Sequence, residues 1–212
     1  MSSFFVFFSI IVAIAIGAMS PGPSFVLVSR IAISRSRTAG FSAALGMGVG
    51  GVTFATLALL GLNALLMQVA WLYALLKIGG GLYLIYLGIR IWKGATEELR
   101  VDAPSGPATI SPVRNFWFGL ATQLSNPKTA IFYGSIFAAL LPASPNGWLL
   151  MAVPPAVFAV EAGWYCVVAL AFSSSRPRAF YLRLKTWIDR VAGAVMGALG
   201  LRLVVESLPR HL

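Results

Sequence analysis

The chain has 212 residues, 58% of them hydrophobic and only 10% charged, with a mean hydropathy of +0.85. That composition excludes an ordinary soluble globular domain and reads as an all-α integral membrane protein. A formal charge of +10 would suggest nucleic acid in a soluble protein, but no free basic domain carries it, and the bias of cationic residues toward cytoplasmic loops accounts for the excess.

The single cysteine, Cys166, excludes an internal disulfide and a paired-thiol redox site. The single histidine, His211, leaves no Ser-His-Asp set and no metal-ligand cluster to assemble, so no cofactor is expected. Residues 4–18 are apolar and could pass for a signal sequence. Met1-Ser2-Ser3 has no Lys or Arg, however, so cleavage is not expected.

Six apolar segments follow one another, approximately residues 4–30, 38–60, 68–92, 115–141, 148–172 and 187–205. Each is near or above the roughly 20 residues that a bilayer crossing requires. Trp71, Tyr73, Trp92, Trp148 and Trp187 lie near segment ends, as interfacial aromatics do. The first, third and fifth connections hold most of the Lys and Arg: Arg30, Arg35 and Arg37, then Arg90, Lys93, Arg100 and Arg114, then Arg176, Arg178, Arg183, Lys185 and Arg190. The second and fourth, residues 61–67 and 142–147, hold none. The odd connections are therefore expected in the cytoplasm and both termini outside. The fifth also interleaves Phe180, Tyr181 and Leu182 among its cations, and reads as a topogenic loop or a stretch lying on an anionic leaflet.

The connection 94–113 carries Pro104, Gly106, Pro107 and Pro112 and reads as a linker. It divides the chain into a first three-helix repeat (1–93) and a second (114–212). The halves share landmarks in one order. Helix one is broken at Pro21-Gly22-Pro23 and helix four at Asn126-Pro127-Lys128. Helix two has Gly46, Gly48, Gly50 and Gly51 where helix five has Pro154 and Pro155. Gly81-x6-Gly88-Ile89-Arg90-Ile91 in helix three is matched by Gly193-x6-Gly200-Leu201-Arg202-Leu203 in helix six. Three helices per half is odd, so the expected architecture is two inverted-topology repeats.

The breaks carry the chemistry. Proline lacks an N–H, so Pro21, Pro23 and Pro127 each forbid a helical bond to the carbonyl four residues earlier, and Gly22 can take backbone angles closed to other residues. Broken helices offer carbonyls to a cation and N–H groups to an anion. An amino-acid zwitterion presents both, as other small polar solutes can. Lys128 places a charge near mid-membrane. Glu161 is thirteen residues into helix five, about 20 Å along it, and intramembrane acids commonly form proton relays. A structural ion pair between Glu161 and Lys128 is the competing reading. Lys77, about two turns into helix three, is close enough to an interface to snorkel.

Together these residues resemble the LysE/RhtB family of amino-acid exporters. The matching landmarks are Ser20-Pro21-Gly22-Pro23, Leu76-Lys77-x2-Gly80-Gly81-x-Tyr83-Leu84-x2-Tyr86-Leu87-Gly88, Asn126-Pro127-Lys128 and Glu161-x2-Trp164-Tyr165. The resemblance implies a multi-pass carrier of the bacterial inner membrane that exports amino acids or their derivatives by proton antiport. Its substrate-binding set would be Pro21, Gly22, Pro23, Tyr83, Asn126, Pro127 and Lys128, with Glu161 and Lys128 coupling to protons. Expected partners are a small amino acid, protons and the bilayer, with a homodimer left open as the assembly.

Two departures stand out. Many members of the family carry Asp or Asn in helix two, where this chain has Gly50-Gly51, and the helix-five acid is often Asp where this chain has Glu161. The first argues against a cationic substrate such as lysine and for a neutral one. Export of a metal ion or another small solute, and membrane thiol-redox chemistry, are the alternatives. The last requires two facing cysteines where there is only Cys166.

Overall fold

A computed structural model describes residues 2–68, 70–97, 99, 111–142 and 144–207. Among these the chain forms eight α-helices: α1 (Ser3–Met19), α2 (Pro23–Ser34), α3 (Arg37–Gln68), α4 (Ala70–Gly94), α5 (Pro112–Leu124), α6 (Pro127–Leu140), α7 (Gly147–Phe172) and α8 (Ser175–Ser207). The first apolar segment is thus α1 and α2, bent by 57° between them, and the fourth is α5 and α6. Each break falls where proline demands it. Ser20 and Gly22 are extended and Pro23 opens α2, while Asn126 is extended and Pro127 opens α6. Proline at the first helical position loses no bond, because that N–H has no intrahelical partner.

Length and apolarity alone qualify α3, over Arg37–Gly61, and α7 as membrane-crossing helices, with α1 and α2 together as a third, bent span. The helices α5 and α6, of 13 and 14 residues, are each about 20 Å long, short of a hydrocarbon core of about 30 Å. Two expected connections are helical instead. α3 runs on past residue 61 to Gln68, and α8 begins at Ser175, so the basic stretch forms its first turns. Pro177 permits this because it falls in the first turn of α8. Lys77 lies on α4 with its side chain outside the described residues, as do residues 100–110 of the expected linker and the tail that holds His211.

Two apolar cores form, one on each side of the breaks. One joins Ile10 and Ile14 of α1, Leu84 of α4, Phe132, Tyr133 and Phe137 of α6, Val153 and Val157 of α7 and Met196 of α8. The other joins Phe25 and Val28 of α2, Ala43 and Met47 of α3, and Tyr165 and Phe172 of α7. Tyr181 of α8 completes it by stacking on Phe25 at 5.1 Å between ring centroids. Between the cores lies a buried polar layer of Ser20, Ser24, Gln123, Asn126 and Glu161.

Glycines set how closely the helices approach. A side chain at Gly88 would strike the backbone of Gly193 and Gly197, and one at Gly81 the backbone of Gly200. Gly193 and Gly200 are blocked in turn by the Gly88 and Gly81 carbonyls. The contacts Gly81–Gly200 and Gly88–Gly193 interchange when each glycine is replaced by its counterpart in the matching motif. This is how a self-complementary two-fold interface behaves. Gly46 and Gly119 likewise admit backbone atoms of Phe116 and Ala43, and so bring α3 against α5.

Candidate functional site

The polar layer is a connected hydrogen-bond system centred on Glu161. Tyr133 Oη donates to its Oε1 (2.9 Å) and Gln123 Nε2 to its Oε2 (3.1 Å). The Gln123 oxygen accepts from the Ser24 hydroxyl at 2.6 Å, and Ser24 Oγ accepts from Asn126 Nδ2 at 3.2 Å. Asn126 Oδ1 then accepts from the Lys128 backbone N–H at 3.1 Å and so caps α6. Lys128 Nζ reaches back across the break in helix one to the carbonyl and the hydroxyl of Ser20, each at 3.2 Å. Glu161 on α7 is thereby linked through α5 and α2 to both breaks. A carboxylate buried to this degree is tolerable only with both oxygens hydrogen-bonded, as they are.

Two cavities meet at this layer. A small one of about 30 Å³ lies against Glu161, Tyr133, Tyr165, Gln123 and Ser24, with room for about one or two waters by volume. A chamber of about 400 Å³ adjoins it, within the roughly 300–1,000 Å³ range of small-molecule sites. All seven expected substrate-binding residues line that chamber: Pro21, Gly22, Pro23, Tyr83, Asn126, Pro127 and Lys128. Glu161 lines only the small cavity, whereas Ser20, Gly22, Asn126 and Lys128 line both. From the breaks the chamber runs to Gly94 and Glu97 at the end of α4 and to Lys185 and Asp189 on α8.

Several local expectations need correction. The ion pair between Glu161 and Lys128 is not made: Lys128 is held by Ser20, and Glu161 by neutral donors. The Gly17 carbonyl, freed by Pro21, is taken by the Ser20 N–H at 3.3 Å, and that of Gln123 by the Asn126 N–H at 3.3 Å. Tighter terminal turns satisfy them. The carbonyl that meets a cation is that of Ser20, which accepts from Lys128 Nζ. Of the two helix starts, α6 is capped by Asn126, while α2 has no side-chain cap. Gly22 is extended (φ −163°), a conformation open to any residue. Its missing side chain matters instead because the Lys128 chain packs over it.

The two departures from the family pattern meet in space. A side chain at Gly51 would come within 3.0 Å of both Glu161 Cγ and the Tyr133 hydroxyl. The longer acid and the missing side chain in helix two thus occupy one spot. Sequence reading gave no role to Ser24, Gln123, Tyr133 or Tyr165, although Tyr165 stood among the family landmarks. It also passed over Asp189, the one acid amid Arg183, Lys185 and Arg190. Gln123 offered the best signal: a carboxamide inside a span, one turn before a break.

The LysE type translocator family model matches residues 15–207. The chain is 35% identical over 192 residues to the "Threonine efflux protein" of Escherichia coli strain K12, covering 90% of this chain and 93% of that protein. To the "Threonine efflux protein" of Salmonella typhi it is 34% identical over 201 residues, covering 94% and 98%. An "Uncharacterized membrane protein YahN" of Escherichia coli strain K12 is 29% identical over 197 residues. No solved structure matches.

Proposed function

The chain belongs to the LysE type translocator family, and from that premise we propose that it is a secondary carrier exporting a small neutral amino acid across the bacterial inner membrane in exchange for protons. The observation that carries this reading is the pairing of cavities. A chamber of substrate size, lined by both helix breaks, is joined through Lys128 and Asn126 to an enclosed carboxylate. Threonine is the first substrate to test, because relatives covering nearly the whole chain are named for its efflux.

The architecture proposed is six membrane segments in two inverted three-helix repeats, residues 1–93 and 114–212, joined by a cytoplasmic linker 94–113. The self-complementary glycine crossing of α4 and α8 and the matching breaks support it. With the basic connections inside, the chamber extends toward the cytoplasm and the conformation is inward-facing.

The hydrogen-bond inventory supplies a coupling mechanism. An ionised carboxylate only accepts, and a protonated one must also donate. When Glu161 takes a proton at Oε2, the Gln123 amide has to turn its oxygen to the acid and its NH2 to Ser24. Ser24 then loses its acceptor in Gln123 and must redirect its hydroxyl. Its bond from Asn126, whose side chain also caps α6 beside the chamber, is disturbed in turn. Protonation at α7 therefore loosens the breaks at α2 and α6, where substrate is held. Glu161 loads its proton with the carrier open outward and releases it inside, and substrate moves in the opposite direction.

The test is reconstitution in liposomes with labelled threonine and an imposed pH difference. Threonine should accumulate against its gradient and cease to do so when an ionophore collapses the pH difference. Accumulation indifferent to pH would remove the proton, and absence of transport for every amino acid tried would remove the substrate class. Orientation is read separately from Ser2→Cys and Ser105→Cys in a Cys166→Ser background. An impermeant thiol reagent on whole cells should label the first and spare the second.

A further inference from the structure

Among the described residues one salt bridge forms, between Lys185 Nζ and Asp189 Oδ2 at 2.9 Å on α8. Lys185 also donates to the Gly94 and Ala95 carbonyls, each at 3.2 Å. Its three N–H donors are then all engaged. Asp189 is only half satisfied. Its side chain is 5% exposed, and Oδ1 is buried without a hydrogen-bond partner. Such an atom bears the full cost of its desolvation, and native interiors seldom leave one unexplained.

Asp189 lines the chamber together with Arg90 and Lys128. Arg90 is exposed there, and among the described residues no hydrogen bond is recorded for it. Lys128 has two of its three donors on Ser20. One chamber is thus lined by a carboxylate with an unmatched oxygen and by cations with donors to spare. That is the complement of an ammonium and a carboxylate carried on one small molecule.

We propose that Asp189 is the residue that recognises the α-ammonium group of the substrate, its carboxylate turning to bring the unmatched oxygen into the chamber, while Arg90 and the remaining donor of Lys128 take the α-carboxylate. Arg90 can do so in bidentate fashion. The inference rests on the chamber being the substrate site of the carrier described above. It makes recognition a matter of the amino acid's backbone groups. A plain carboxylic acid of the same shape would enter a chamber rich in cations yet leave Oδ1 unmatched. Sites built around a polar group reject analogues that lack it far better than apolar pockets reject a size difference.

The experiment uses the full chain in liposomes, labelled threonine as the probe, and unlabelled threonine or 3-hydroxybutyrate as competitors; the latter lacks only the ammonium group. In the wild type, threonine should compete and 3-hydroxybutyrate should not. Asp189→Asn should raise KM by at least about tenfold, the scale of one hydrogen bond to a charged group, and the two competitors should then become equal. Asp189→Glu keeps the charge and should keep the preference for threonine with a smaller rise in KM. Folding of each variant is checked by its elution profile in detergent. Wild-type KM and selectivity in Asp189→Asn would overturn the assignment while leaving the carrier intact. Failure of both variants to fold would assign Asp189 to the scaffold and overturn it as well. A wild type that carries no amino acid overturns the carrier reading, and this inference with it.

Discussion

The cavity at Glu161 and the chamber beside it share four residues, yet they are built on opposite plans. Around Glu161 every hydrogen-bonding atom of the acid is partnered and the free volume is about 30 Å³. The chamber has a volume of about 400 Å³ and is lined by Asp189, one of whose carboxylate oxygens has no partner. A group that exchanges only a proton needs no room, and enclosure keeps it from exchanging with bulk water. A group that binds a solute needs space and an unspent bond. On the proposed function, Lys128 lines both cavities without pairing with Glu161 because a lysine locked in an ion pair could not take part on the substrate side.

The largest expected effect separates the two cavities outright. Glu161→Gln keeps the shape of the acid without its proton exchange. Uphill, pH-driven export should fall to the leak rate, while exchange of labelled for unlabelled threonine across equal concentrations continues. Proton-driven accumulation at the wild-type rate would take Glu161 out of the mechanism.

Gln123→Leu tests the link between the cavities. It strips Glu161 Oε2 and the Ser24 hydroxyl of a partner, each a loss of about 1–3 kcal/mol when buried. Proton-driven flux should drop by about tenfold or more on that scale, with exchange flux less affected. An equal loss in both fluxes would reduce Gln123 to a structural role.

The chamber wall is sharpened by glycine substitutions. Gly88→Val drives a side chain into the Gly193 carbonyl and the Gly197 backbone, an overpacking that costs about 1–3 kcal/mol. A fall in melting temperature of about 2–4 °C per kcal/mol is expected for a chain of this size. An unshifted melt would show that α4 and α8 are not pressed together. The smallest effect is expected at Gly163 on α7, where nothing lies within 4 Å of an added methyl. Gly163→Ala should leave both fluxes unchanged and stabilise the helix by about 0.5–1 kcal/mol, which the same melt would read.

The breaks were legible because proline acts locally. Pro21, Pro23 and Pro127 each remove a helical bond, and the structure starts α2 and α6 on two of them, although α7 runs on through Pro154 and Pro155. Boundaries without such a residue were less legible. Nothing in residues 61–67 stops a helix, so α3 continues through them. Glu161 announced itself as the one acid in an apolar segment. Gln123 and Tyr133 did not, because an amide among the polar residues Thr122, Ser125 and Asn126, or a phenol in a span, has no evident role until its partner is known. Asp189 was hidden by its charged neighbours, a pattern that ordinarily means a solvated face.

Composition, charge distribution and the placement of proline and glycine determined by themselves that this chain is an all-helical membrane protein. They also marked two helix breaks, a buried acid in α7 and a lysine at the second break. These follow from backbone chemistry and from the cost of placing charge in hydrocarbon, both of which act on short stretches. Only the tertiary structure decided how the marked residues are used. It brought both breaks into one chamber, gave Lys128 to Ser20 instead of Glu161, set Gly51 against the acid, and left Asp189 with an oxygen to spare. Those outcomes depend on which helices touch, and close glycine crossings between residues seventy or more positions apart, such as Gly46 with Phe116 and Gly88 with Gly193, decide that.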